Sequence, residues 1–163
     1  MNSPITIEDL ALILPPKARL IGVDLGAKTI GLAISDVERR LASPLKTLPR
    51  GAFGRDAETL TAIFSELAVA GIVLGLPVDL NGRNTPRAQS TRAFARNLSM
   101  RTGLPITFWD ERFSTAAVTR SLIANDVSRG RRAQVIDKMA AAYILQGALD
   151  RLGGLVRPQT NGF

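Results

Sequence analysis

The chain has 163 residues, 45% hydrophobic and 21% charged, enough for one domain with a real core and too few for two ordinary ones. Lys plus Arg total 21 against 14 for Asp plus Glu, and the resulting charge of +7 suits a polyanionic partner, nucleic acid or an anionic surface. Cysteine and histidine are both absent, which excludes disulfides, thiolate or imidazole metal sites and any Ser-His-Asp or Cys-His catalysis; a metal would have to be oxygen-ligated, Mg²⁺ or Mn²⁺ first.

The N-terminus, "MNSPITIEDLALILPPKARL", lacks a basic leader and carries Glu8 and Asp9 ahead of a short apolar stretch. It reads as an amphipathic turn or two, stopped by Pro15-Pro16 and docked on the domain, rather than as a signal peptide. No apolar run approaches the roughly 20 residues of a membrane span. A cytoplasmic protein without a membrane partner is expected, with residues 1–18 an extension, 19–152 the main domain and 153–163 a loosely ordered tail.

"RLIGVDL" (19–25) is apolar on both faces, as a central strand should be. "TIGLAIS" (29–35) and "LASPLKTL" (41–48) follow through short connections, predicting an antiparallel meander with Pro44 on its edge strand. In "GRDAETLTAIFSELAVAG" (54–71), Leu60, Ile63, Phe64 and Leu67 form a helical stripe, which Gly71 should end. "IVLGLP" (72–77) is a buried strand. A polar loop (78–89) then leads into a helix through "RAQSTRAFARNLSMRTG", ending at Gly103, and "PITFWDE" (105–111) is the last strand. "STAAVTRSLIAND" (114–126) predicts a helix capped by Ser114 or Thr115, "VSRGRR" (127–132) a basic flexible link, and "AQVIDKMAAAYILQGALDRL" (133–152) a long helix. Phe94, Leu98, Phe108, Trp109, Tyr143, Ile144 and Leu145 read as core. A meander followed by βα units predicts an α/β domain with a five-stranded mixed sheet and helices on both faces. Neither an alternating Rossmann pattern nor a P-loop is present.

Three acidic positions sit where packing alone would not put them: Asp24 at the end of the first strand, Asp110-Glu111 closing the last, and Asp137 on the final helix. Each has an ordinary explanation as a turn or helix cap or as a favourable partner of a helix dipole. Together they can converge on one end of the sheet. Clustered carboxylates repel one another unless divalent cations neutralise them. A pair of Mg²⁺ ions roughly 3.5–4 Å apart would then serve phosphodiester cleavage without any histidine. An acidic cluster for metal inside a basic protein for phosphate is a coherent design.

"GVDLGAKTIGLAISD", "IVLGLPVDLNG", "DERFST" and "IDKMAAAYILQGALD" resemble, in order and spacing, the YqgF/RuvX family, over roughly residues 19–152. The resemblance implies a ribonuclease H-like fold and a likeness to Holliday-junction resolvases. It also implies a nuclease that matures the ends of precursor 16S ribosomal RNA. The family's catalytic and metal-binding acids fall on Asp24, Glu111 and Asp137. Two departures stand out: Thr29 occupies a position usually basic in the family, and Ser114-Thr115 replaces two threonines. If the strand continues through both, alternation points Asp110 and Glu111 to opposite faces, and the longer Glu111 better spans the strand between it and Asp24.

Phosphate contacts are expected from Lys28, Arg83, Arg87, Arg112 and the cluster Arg129, Arg131 and Arg132. The rival readings are a DNA junction resolvase with the same residues and a non-catalytic nucleic-acid-binding factor, which would gain by losing its carboxylates. A sugar-kinase reading of "DLGAKTIG" would need a second domain. A resolvase should be a homodimer, whereas an RNA-trimming monomer is equally consistent with the sequence.

Overall fold

Strand β1 (Arg19–Leu25) is buried from Leu20 onward, so it needs strands on both edges and cover on both faces. In the computed structural model, which describes residues 3–79, 81–113 and 129–156, it has both. β1 pairs antiparallel with β2 (Thr29–Ser35), which pairs antiparallel with β3 (Ala42–Pro49). On its other side β1 runs parallel to β4 (Val69–Leu76), and β4 to β5 (Ile106–Asp110), giving the order β3-β2-β1-β4-β5. The five-stranded mixed sheet is the expected one, and Pro44 lies on its edge strand. The ladder shifts there, Leu32 pairing with Lys46 but Ala33 with Pro44, so Leu45 is bulged out.

Alternation along the strands divides the core into two. Ile21, Val23, Leu32, Ile72 and Leu74 face one side and pack with Leu60 and Phe64 of α2 (Phe53–Glu66) and Phe94 and Leu98 of α3 (Pro86–Thr102). Leu20, Ala33 and Val73 face the other, against Leu10 of α1 (Ile7–Ile13) and Ile144, Leu145 and Leu149 of α4 (Arg129–Val156). The α4 face of the sheet is built from small residues. A Cβ on Gly22 would lie 2.7 Å from the Leu145 Cβ and 2.8 Å from the Ala141 carbonyl oxygen. Helix and sheet backbones therefore approach more closely than side chains of ordinary size allow.

Several boundaries differ from the sequence reading. α2 gives way at Leu67, and the reversal is made by Ala68 at φ 53°, not by Gly71, which lies inside β4. Gly71 serves packing instead: a Cβ there would come within 2.9 Å of Leu20 Cδ2. β5 ends at Asp110, and Glu111 opens a 3₁₀ turn (Glu111–Phe113). α4 begins at Arg129, so the basic run expected to be a link is helical from that residue on, and the helix continues to Val156 through Gly153-Gly154. Tyr143 is exposed, whereas Phe108 and Trp109, half-buried, pack against the two core clusters as expected. The N-terminal segment is built in, with Leu10 fully buried and Ile5 bridging to Thr107 beside β5. The helix expected over 114–126, its cap, and the tail beyond 156 lie outside the described residues. Among the described residues no helix is long and apolar enough to cross a membrane.

Candidate active site

Asp24 points to the α4 face and is 1% exposed. Its register partner on β2 is Gly31, and Gly75 follows Leu74, the β4 partner of Val23. The buried carboxylate is thus flanked on both neighbouring strands by residues without side chains. A Cβ on Gly31 would collide with the backbone carbonyl of Asp137 and lie 2.9 Å from its Cβ. A Cβ on Gly75 would lie 3.0 Å from Glu111 Oε1 and 2.5 Å from Ile144 Cδ1. The two notches beside Asp24 are therefore occupied by the other two predicted acids. All three share one face and one end of the sheet.

Burying a carboxylate costs several kcal/mol unless it is paired, hydrogen-bonded or coordinated. The donor set here is all oxygen, carried by a strand, a 3₁₀ turn and a helix, which suits a hard divalent cation. Among the described residues, no group of three or more acidic side chains is closed into a metal cage. The glycine notches still fit the set: one admits the Asp137 backbone and the other the Glu111 side chain beside a buried acid, and side chains at those positions would fill them.

Thr29 gains a role that the sequence did not show. Its hydroxyl donates to Asp137 Oδ2, tying the start of β2 to α4. The turn between β1 and β2 is also held from outside. Gly26 N–H donates to the Thr29 carbonyl at 2.9 Å, Arg50 N–H to the Lys28 carbonyl at 2.8 Å, and Arg50 Nη1 to the Gly26 carbonyl at 2.7 Å. Gly26 does not use a left-handed conformation, since the glycines with positive φ among the described residues are Gly82 and Gly103. It allows close approach instead, a Cβ there meeting the Thr29 carbonyl oxygen at 3.0 Å. Lys28 stands exposed at the tip. Arg50 escaped notice because its partners are carbonyls, which carry no signature in the sequence.

Asp110 is engaged elsewhere. Its carboxylate accepts from the Arg112 backbone N–H at 2.9 Å, from Nε at 3.0 Å and from Nη2 at 2.5 Å. Those side-chain hydrogen bonds, helped by the backbone N–H and by the guanidinium charge, hold its carboxyl below the usual range against some desolvation. Arg112 is pushed further toward its charged form by the same hydrogen bonds, with the charges of Asp110 and Asp79 adding.

The other predicted phosphate contacts are spread around this end of the sheet. Arg83 donates its backbone N–H to Asp79 Oδ1 at 2.7 Å and keeps its guanidinium 3.7 Å from Asp79 Oδ2. Arg87 reaches the Leu25 carbonyl at 3.4 Å, linking the first turn of α3 to the residue after Asp24. Arg129, Arg131 and Arg132 stand on the α4 backbone just ahead of Asp137.

A family model described as RuvX, Holliday junction resolvase, matches residues 18–151. A protein of Bradyrhizobium sp. strain BTAi1 is 62% identical over 143 residues, 88% of this chain and 89% of that one. One of Beijerinckia indica is 58% identical over 144 residues (88% and 87%), and one of Ruegeria pomeroyi 57% over 150 (92% and 97%). All three carry the name "Putative pre-16S rRNA nuclease". Among solved structures, Thermus thermophilus RuvC in complex with a Holliday junction substrate superposes with a TM-score of 0.54 at 12% identity, covering 83% of this chain and 96% of that one. Another T. thermophilus RuvC structure gives 0.54 at 14% identity, covering 83% and 97%. At such identity the likeness concerns the fold, which is the ribonuclease H-like fold of the resolvases.

Proposed function

This chain belongs to the RuvX family, and from that premise we propose that it is a metal-dependent nuclease acting on the ends of precursor 16S ribosomal RNA. The observation that carries the proposal is the placement of Glu111 and Asp137 in the glycine notches on either side of the buried Asp24. The names of the relatives favour ribosomal RNA as the substrate, and a cytoplasmic location goes with it.

Asp24, Glu111 and Asp137 would hold Mg²⁺ or Mn²⁺. Such ions, when bound, supply positive charge to the attacking and leaving oxygens of a phosphodiester. The protein's own part is positional. Asp24 is fixed by the central strand, Asp137 is steadied by the Thr29 hydroxyl, and Glu111 stands at the end of β5. Burial of Asp24 keeps water from screening its charge. Lys28, Arg83, Arg87 and Arg112, with Arg129, Arg131 and Arg132 on the first turns of α4, would bind the substrate backbone.

Purified protein should be offered a ribosomal RNA precursor and, separately, a four-way DNA junction, each with Mg²⁺ or Mn²⁺. Cleavage of the RNA is expected. Asp24→Asn should lower it by at least about 100-fold, more than loss of an outer-sphere partner would, and leave RNA binding intact or tighter. Wild-type cleavage by Asp24→Asn would refute the metal site, and preferential cutting of the junction would make the protein a resolvase.

A further inference from the structure

The arginine that follows β3 holds the turn between Asp24 and Thr29. Pro49, the last residue of β3, is the register partner of Thr29, and Arg50 comes next. The Arg50 backbone N–H donates to the Lys28 carbonyl, extending that ladder by one residue. Its side chain reaches the other arm of the turn, where Nη1 donates to the Gly26 carbonyl, two residues after Asp24. One residue thus closes both arms, the one leaving Asp24 and the one entering Thr29.

The guanidinium is itself anchored. Its Cζ lies 5.7 Å from the centre of the Phe94 ring, and Phe94 is buried in the α2/α3 core with the Phe53 ring edge-on at 5.4 Å. A planar guanidinium can stack on a ring and hold a carbonyl at the same time. Val23 and Leu25 belong to the same core, so Asp24 between them points to the opposite face. Arg50 is in no ion pair among the described residues. Its part is therefore to hold geometry rather than to pair with a carboxylate.

The turn is tight enough to pass that hold on. Gly26 N–H donates to the Thr29 carbonyl at 2.9 Å, and a Cβ on Gly26 would lie 3.3 Å from Thr29 Oγ1. That same hydroxyl donates to Asp137 Oδ2 across the interface with α4. A shift of the turn would move the donor that fixes the Asp137 carboxylate.

We propose that Arg50 is a positioning residue of the carboxylate site, acting through the turn and the Thr29 hydroxyl on Asp137 to set how tightly a divalent cation binds. The proposal rests on the reading of Asp24, Glu111 and Asp137 as the cation's ligands. Loss of a group that hydrogen-bonds a metal ligand typically costs about 10–100-fold in metal affinity. Arg50 stands one step further out, so its loss should cost less than loss of the hydroxyl. Electrostatics alone would give the opposite sign, because deleting a positive charge near an acidic site strengthens cation binding.

Mn²⁺ binding to the full-length protein, without nucleic acid, should be measured by calorimetry, with melting temperatures showing that each variant is folded. Thr29→Val should weaken binding by about tenfold or more, and Thr29→Ser, which keeps the donor, by less than about threefold. Arg50→Ala should weaken it by about three- to tenfold, and by less than about twofold in the Thr29→Val background, because both changes act along one route. Arg50→Met, which can still cover Phe94 but cannot donate, should show the same loss and serves where the alanine variant does not fold. Unchanged or tighter binding by the Arg50 variants, or a loss that simply adds to that of Thr29→Val, would overturn the proposal. Equal losses in Thr29→Val and Thr29→Ser would overturn it too. Asp24→Asn tests the underlying reading in the same assay. If it loses Mn²⁺ while the Arg50 variants keep it, the metal site stands and only the role of Arg50 falls; if it binds like the wild type, or the wild type binds nothing, the metal site falls and this role with it.

Discussion

Asp110 and Glu111 are chain neighbours with opposite surroundings, one locked to Arg112 and the other set against Gly75 on the α4 face. Glu111→Gln should therefore abolish cleavage with little effect on melting. Asp110→Asn should cost about 1 kcal/mol of stability near neutral pH, the usual worth of a charged hydrogen-bonded partner at an exposed site. The pH dependence has a definite sign. Asp110's carboxyl is depressed by Arg112, so its contribution is full above the unfolded value near 3.9 and fades as pH falls through the lower folded value. Urea melts of wild type and Asp110→Asn should differ at neutral pH and converge in acid; a constant gap would mean the Arg112 pairing contributes no stability. Alternation would separate these two acids only if the strand ran through both, and β5 ends at Asp110 with Glu111 opening a 3₁₀ turn, so their different surroundings could not be read from the sequence. The Thr29 hydroxyl on Asp137 was not legible, since its partner lies far away in sequence and a threonine beginning a strand looks ordinary.

At the scale of elements, α4 lies on the sheet only because the strands beneath it lack side chains at critical positions. Gly31→Ala would drive a methyl group into the Asp137 backbone, and overpacking of this kind typically costs about 1–3 kcal/mol. Cleavage should fall with it, as Asp137 is pushed from its notch. Gly54, within α2, and Gly153, within α4, have nothing within 4 Å of a built Cβ. There the same substitution should stabilise by roughly 0.5–1 kcal/mol. Thermal melts of the three variants form a matched set; a neutral Gly31→Ala would remove the close approach as the reason for the site's geometry. Strand periods and the α2 stripe were readable in advance because burial imposes them residue by residue. The element ends were not: Ala68 makes a reversal that glycine usually makes, and arginines that read as a link continue a helix.

For the molecule as a whole, a charge of +7 coexists with an acidic centre at one end of the sheet. Family and fold were legible because four ordered motifs span nearly the whole chain. The substrate was not, because resolvases and the relatives named for precursor ribosomal RNA share one architecture. Electrostatics can still be tested without knowing the substrate. Arg129, Arg131 and Arg132 precede Asp137 on α4, so phosphates held there would lie upstream of that carboxylate on the same helix. The helix fixes the backbone positions from which the three arginines extend. Replacing all three by Ala should weaken binding to every sequence alike, because phosphate contacts carry no base information. Each lost contact releases fewer counterions, so the slope of log affinity against log salt should fall in magnitude by about 2–3. The measurement is a salt titration of RNA binding in the Asp24→Asn background, where cleavage cannot distort the equilibrium. An unchanged slope would remove these arginines from the interface and leave Lys28, Arg83, Arg87 and Arg112 to account for it.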